Sequence, residues 1–166
     1  MTLSYWLLAL VTVERIGELF LAKSNTQRLL AEGAFEAAPE HYKFIVLMHA
    51  LWLAGLWFFA REIQPFWTVI FLLLQVLRFW VLATLGRRWT TKIIILPNAP
   101  LVRRGPYRWL SHPNYLVVIG EIAILPLCVG LPAYALVFSV VNAVMLTIRI
   151  RAENEALAGL RNGRHA

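Results

Sequence analysis

Apolar residues fall along this chain in five blocks, at about 3–22, 43–60, 65–86, 113–128 and 132–150, with polar segments between them. Such blocks approach the roughly 20 residues that a helix needs to cross about 30 Å of hydrocarbon, so the pattern predicts transmembrane helices. Val129-Gly130-Leu131-Pro132 is short enough only for a tight turn between antiparallel helices. The first block lacks the basic start and small-residue cleavage site of a signal peptide and is expected to stay as a helix. The expected fold is therefore all-α: one integral membrane helical bundle of about five transmembrane helices, with 1–166 as a single domain.

The polar segments carry their own signals. Residues 23–42 mix Ser24, Asn25, Thr26 and Gln27 with Leu29, Leu30 and Phe35, which suits a short interfacial helix interrupted at Gly33. Thr90 to Leu96 is rich in β-branched residues and reads as extended, a short hairpin or flap ahead of the turn residues Pro97-Asn98-Ala99-Pro100. Pro126 is expected to kink the fourth helix, since proline removes a helical hydrogen bond. The tail from about residue 159 is expected to be disordered.

Composition strengthens the membrane reading. Of 166 residues, 60% are hydrophobic and 15% charged, with a mean hydropathy of +0.64, far from an average soluble domain. A net charge of +7 could suggest nucleic acid, but the basic residues border the apolar blocks, where topology explains them. Lys23, Arg28, Lys43, Arg87, Arg88, Lys92, Arg103, Arg104, Arg108, Arg149, Arg151, Arg161 and Arg164 all fall on one side of a five-span arrangement, and the other side has only Arg61 in its loops. The N-terminus is therefore expected outside, with the third loop and the C-terminus in the cytoplasm. Cys128 is the only cysteine, which excludes an internal disulfide and a thiolate cluster. The histidines at 41, 49, 112 and 165 have no metal-ligand spacing, and aspartate is absent, so carboxylate chemistry rests on nine glutamates.

Charges inside the blocks narrow the candidates. Each costs about 2.5–3.5 kcal/mol at a helix centre on insertion scales unless it is paired or wet. Glu14 and Glu18 lie one helical turn apart, Arg15 reaches Glu18 at i,i+3, and Arg78 and Glu121 stand in the third and fourth blocks. These residues form either a structural ion-pair set or the polar wall of a substrate cavity, with Glu14 or Glu18 as base or orienter. His49 in the second block is a hydrogen-bonded packing residue or a proton relay. The aromatic residues Trp52, Trp57, Phe58, Phe59, Phe66, Trp67, Phe79 and Trp80 suit an interfacial belt.

The segment 103–115 concentrates charge, rings and turn residues between two apolar blocks: Arg103, Arg104, Gly105-Pro106-Tyr107-Arg108, then Ser111-His112-Pro113-Asn114-Tyr115. Pro113 suits the first turn of a helix, whose free backbone N–H groups and positive dipole end, beside three arginines, suit a carboxylate or phosphate. Arg149-Ile150-Arg151-Ala152-Glu153 follows the last block, and the hairpin of the fourth and fifth helices returns it to the face that holds His112. Glu153 can accept hydrogen bonds from hydroxyls or an amine, with Arg149 pairing to it at i,i+4.

Gly-Pro-Tyr-Arg, His-Pro-Asn-Tyr and Arg-Ile-x-x-Glu together resemble the isoprenylcysteine carboxyl methyltransferase family, over roughly residues 75 to 157. The chain also resembles a short bacterial branch of that family through Glu-Arg-Ile-Gly-Glu-Leu at 14–19 and Leu-Gly-Arg-Arg-Trp-Thr-Thr-Lys at 85–92. That branch is associated with O-methylation of phenolic lipids or alkylpyrones. The resemblance implies S-adenosylmethionine as methyl donor, a cytosolic cofactor-binding loop and C-terminal helix, and a location in the bacterial inner membrane. It places Tyr107, His112, Pro113, Tyr115 and Glu153 around the cofactor, with Arg103, Arg104 and Arg149 as further contacts. Ser111 and Val117 stand where the family pattern has arginine and glycine, and Asn154 where it has a second glutamate.

The implied activity is methyl transfer to a lipophilic acceptor, through a carboxylate or through a phenolic or enolic hydroxyl. Positioning dominates such a step, and a hydroxyl acceptor also needs a base or a cation for its anion. Glu14, Glu18, Arg78 and His49 are the acceptor-side catalytic candidates. Expected partners are the acceptor and membrane lipids, with no nucleic acid and no obligate protein. Steroid and sterol reductases resemble this family in a His-Pro-Asn-Tyr segment, so an NADPH-dependent membrane reductase is the rival enzyme. A scaffold or transporter is the non-enzymatic alternative.

Overall fold

The computed structural model describes residues 3–161 except Asn98, Leu101 and Ser111, with side chains to residue 158. Its order is α1 (Leu3–Ala31), β1 (Phe35–Glu36), α2 (Pro39–Phe59), α3 (Pro65–Leu85), β2 (Ile94–Ile95), α4 (Pro113–Cys128) and α5 (Pro132–Arg161), with single 3-10 turns at Gly86–Arg88 and Gly105–Arg108. Prolines open α2, α3, α4 and α5, each at a first-turn position where the missing N–H has no intrahelical partner to lose. The protein is an all-α integral membrane bundle. By length and apolar composition α2, α3 and α5 can cross a membrane. Helix α4, at 16 residues, is roughly 24 Å long at about 1.5 Å per residue, and α1 carries Glu14, Arg15 and Glu18.

Helix α1 differs from expectation at its far end. It does not stop near residue 22 but runs unbroken to Ala31, so residues 23–31 extend the first span and form no separate interfacial helix. Gly33 ends it: its φ of 91° lets Gly33 N–H reach Leu30 O at 3.1 Å and Ala34 N–H reach Leu29 O at 2.9 Å. The same two-bond stop ends α4, where Gly130 (φ 74°) and Leu131 bond back to Leu127 and Pro126. Pro126, expected to kink this helix, lies in its closing turn, two residues before Cys128.

Strand β2 is extended as expected, but it does not fold into a hairpin with its own neighbours. It pairs antiparallel with β1, Phe35 opposite Ile95 and Glu36 opposite Ile94, which ties the α1–α2 connection to the segment before α4. Ala37 N–H to Ile93 O (2.9 Å), Lys92 to Glu36 (2.8 Å) and Tyr42 with Thr91 (3.0 Å) extend that tie. Asn25, buried on the added turns of α1, donates to Gly86 O and Trp89 O at 3.1 and 2.8 Å. The arginine-rich end is thus stapled to α1. At the other end Ser4 donates to Arg61 O, and Arg61 N–H reaches Val129 O at 2.9 Å.

Leu8, Val11, Met48, Trp52, Leu56, Phe71, Ile122 and Leu125 fill the core, while Phe58, Phe66, Leu73, Val76 and Leu136 point outward. An outward apolar coat on helices of this length is what lipid solvates. Helix α5 continues past residue 150 to Arg161 and carries Glu153 above the last span. The tail from residue 162, Ser111 and the Asn98 position of the expected turn lie outside the described residues.

Candidate functional site

Two polar assemblies occupy the bundle, one between the helices and one at its arginine-rich end. The first is built by helix periodicity. Glu14, Arg15 and Glu18 share the inner side of α1, Gln75 and Arg78 are i,i+3 on α3, and Glu121 faces them from α4. Arg78 donates from Nε and Nη2 to the two oxygens of Glu18 and from Nη1 to Glu121. Arg15 bonds Glu18 at 2.9 Å and Glu121 at 3.0 Å, and touches Glu14 at 3.4 Å. Gln75 donates to Glu121 at 2.8 Å. Three carboxylates thus meet two guanidiniums, with Glu18, Arg78 and Glu121 buried and Glu14 and Arg15 half-buried, where charges persist only when so paired.

Part of this cluster forms a polar wall of a largely apolar cavity of about 350 Å³ between the helices. Glu18, Arg78 and His49 line it, as the sequence suggested, joined by Arg15 and Glu121. Glu14 belongs to the ion cluster but does not line the cavity. His49 holds Ile45 O through Nδ1 at 2.8 Å, one turn back on α2.

The second assembly surrounds a cleft of about 540 Å³. Tyr107, His112, Tyr115, Glu153, Arg103 and Arg149 all line it, so α4, α5 and the Gly105–Arg108 turn do bring the two sequence motifs together. The His112 and Tyr115 rings stack at 5.2 Å, and His112 Nδ1 lies 4.0 Å from Glu153. Tyr115 donates its hydroxyl proton to Glu153 and accepts from Arg149 Nε at 3.1 Å. Arg149 does not form the expected i,i+4 pair with Glu153. Its Nη2 instead donates to Thr91 O at 2.7 Å, a tertiary acceptor that spacing along one helix cannot reveal. Burial, and then the nearby Glu153 charge, raise the Tyr107 phenol above its ordinary value, so it keeps its proton as a donor.

Two residues expected at the cleft are not in its lining. Pro113 is buried as the first residue of α4, and Arg104 donates to Thr84 O at 3.3 Å.

Gly105 explains why the loop carries Gly-Pro-Tyr. Its φ is +55°, and a Cβ there would stand 2.4 Å from Thr84 Oγ1 and 3.2 Å from Trp80 Nε1. Gly105→Ala is expected to lower stability by about 1–3 kcal/mol through backbone strain, with the Thr84 clash added. Thermal unfolding in detergent checks this, and Thr84→Ala should recover only the steric part.

Trp89, Thr90, Asn114, Tyr115 and Arg149 line both spaces. Sequence reasoning missed the first three as wall residues. Gln75 was also missed, although a lone amide i,i+3 from Arg78 inside an apolar block was a usable signal.

Residues 67–159 match the isoprenylcysteine carboxyl methyltransferase (ICMT) family. The chain belongs to that family. ICMT is a family of membrane methyltransferases, whose members generally use S-adenosylmethionine. The chain is also 39% identical to the uncharacterized protein YpbQ of Bacillus subtilis, over 92% of this chain and 96% of that one. An uncharacterized protein of Haemophilus influenzae is 26% identical over 92% of this chain and 93% of its own length. No solved structure matches. The cleft motifs fall inside the ICMT match, whereas α1 and α2 precede it.

Proposed function

We propose that this protein transfers a methyl group from S-adenosylmethionine to the hydroxyl oxygen of a lipophilic acceptor. The observation that carries this reading is the shared wall. A polar cleft at the arginine-rich end and an apolar cavity between the helices meet at Trp89, Thr90, Asn114, Tyr115 and Arg149, so two reactants of opposite solubility can approach one point.

The residues of the cleft fit the cofactor. Its volume lies in the usual range for small-molecule sites, roughly 300–1,000 Å³. Glu153 offers a carboxylate to an amine or to ribose hydroxyls, Tyr107 offers a proton, and Arg103 suits the amino acid carboxylate. When bound, the cofactor supplies an electrophilic methyl on a sulfonium. The chain's part is to hold and orient: Tyr115, fixed between Glu153 and Arg149, stands where the two spaces meet, and the largely apolar cavity suits a lipophilic acceptor.

The ion cluster favours a hydroxyl acceptor over a carboxylate. Both cavity guanidiniums from α1 and α3 are engaged by carboxylates already, and Arg149 is engaged by Tyr115 and Thr91. A carboxylate acceptor would add a further negative charge beside Glu18 and Glu121, where the cations among the described lining residues, Arg15, Arg78 and Arg149, already have partners. Positive charge at the cleft end supports a cytoplasmic position for that end, with the N-terminus outside, and we take the membrane to be a bacterial inner membrane. The acceptor then enters from the bilayer.

The test is to incubate purified protein with methyl-labelled S-adenosylmethionine and fractionated host lipids. A labelled lipid whose methyl resists alkali, as an ether does and an ester does not, is the expected result. Calorimetry should detect S-adenosylhomocysteine and not NADPH. Binding of NADPH alone would overturn the reading in favour of a reductase, and an alkali-labile methyl would move the acceptor to a carboxylate.

A further inference from the structure

Glu14, Glu18, Arg78 and His49 were the acceptor-side candidates, as base or as cation, and with Glu121 beside them the structure separates their parts. Glu18 and Glu121 are each held by both Arg15 and Arg78, and Glu121 also by Gln75, so their oxygens are fixed and already occupied as acceptors. Glu14 does not line the cavity, and Arg78 is a cation. His49 is different. Its Nδ1 lies 2.8 Å from Ile45 O, and a carbonyl oxygen only accepts, so Nδ1 carries the proton. In the neutral ring Nε2 must then hold a lone pair. Among the described residues Nε2 has no protein partner, and the ring lines the apolar cavity. A neutral imidazole with its tautomer fixed by a backbone carbonyl is the arrangement that general bases use.

We propose that His49 is the catalytic base on the acceptor side, its Nε2 taking the hydroxyl proton as the oxygen is methylated. The assignment rests on the methyl-transfer reading above. In the step, the acceptor O–H bond breaks and its proton forms a bond to Nε2. The freed oxygen pair bonds the methyl carbon, and the carbon–sulfur pair stays on sulfur. The products are a methyl ether, a neutral thioether and an imidazolium, which returns its proton to water through the polar cleft. The charged and titratable groups around this cavity are Arg15 and Glu18 from α1, Tyr42 from α2, Arg78 from α3, Glu121 and Tyr115 from α4, and Arg149 from α5.

The first test needs no turnover. Nitrogen-labelled wild-type protein in nanodiscs should show His49 as the neutral Nδ1–H tautomer by NMR at neutral pH, and an Nε2–H tautomer or a charged ring would overturn the proposal. The second compares wild type with His49→Asn, whose amide can still donate to Ile45 O but has no ring nitrogen. Methyl transfer to the labelled lipid fraction should fall at least about 100-fold, the usual worth of a positioned base. Affinity for S-adenosylhomocysteine should stay within about twofold. The residual rate should rise about tenfold per pH unit, because only preformed oxyanion then reacts.

An unchanged rate, or a loss with the same pH profile as wild type, would overturn the assignment of His49 while leaving methyl transfer intact. Wild-type protein that labels no lipid would overturn both. If His49→Asn does not fold, His49→Gln and the wild-type tautomer carry the test.

Discussion

Arg78→Met lowers the stability of the folded bundle by about 3–5 kcal/mol, the range found when one partner of a buried ion pair is removed. Arg78 supplies both bonds that hold Glu18 from α3 and one of those on Glu121. Without it three carboxylates share Arg15 alone. Reversible unfolding in mixed micelles measures the loss. Adding Glu18→Gln and Glu121→Gln to the same chain should restore most of it, since the uncompensated charges are then gone. A loss under about 1 kcal/mol would mean that the cluster is wet and its pairing weak.

Glu153→Ala weakens S-adenosylhomocysteine binding by about 10- to 150-fold, the equivalent of one or two hydrogen bonds to a charged group at about 1.5–3 kcal/mol in all. The change would remove the proposed cofactor contact and also the acceptor of the Tyr115 hydroxyl, which would then keep only its bond from Arg149. Glu153→Gln keeps an acceptor for Tyr115 and should fall between the two. Glu32→Ala, a half-exposed partner of Arg28 at the same end of the molecule, should leave binding unchanged. Calorimetry on the three variants and wild type decides this, and equal affinity for Glu153→Ala would remove the residue from the cofactor site.

Much of the bundle was legible because apolar blocks, prolines and glycines act locally. The limits 65–86 and 113–128 fall within a residue of α3 and α4, where Pro65 and Pro113 mark the starts. The ion cluster was legible from charges at helical spacing, since a buried Arg15 or Arg78 needs a partner wherever the helices turn. The connection 23–42 was not. Its mixed residues look interfacial, and the helix persists there because Asn25 is clamped by Gly86 and Trp89, some sixty residues away. The β1–β2 pairing and the bond from Arg149 to Thr91 fail to announce themselves for the same reason. Local rules found residues that line the two spaces. Which of them touches which, and that Arg104 turns to Thr84 O, depends on distant backbone groups.

The wall between the two spaces also has an evolutionary reading. The side facing the cleft is drawn almost wholly from the stretch that matches the family, while Val11, Arg15, Glu18, Tyr42, His49 and Trp52 on the far side come from helices that precede it. The cavity is thus a seam between two parts of the chain: Phe71, Arg78, Glu121 and Ile122 on one side fall within the family match, and the other side is built by two helices that the family pattern does not describe.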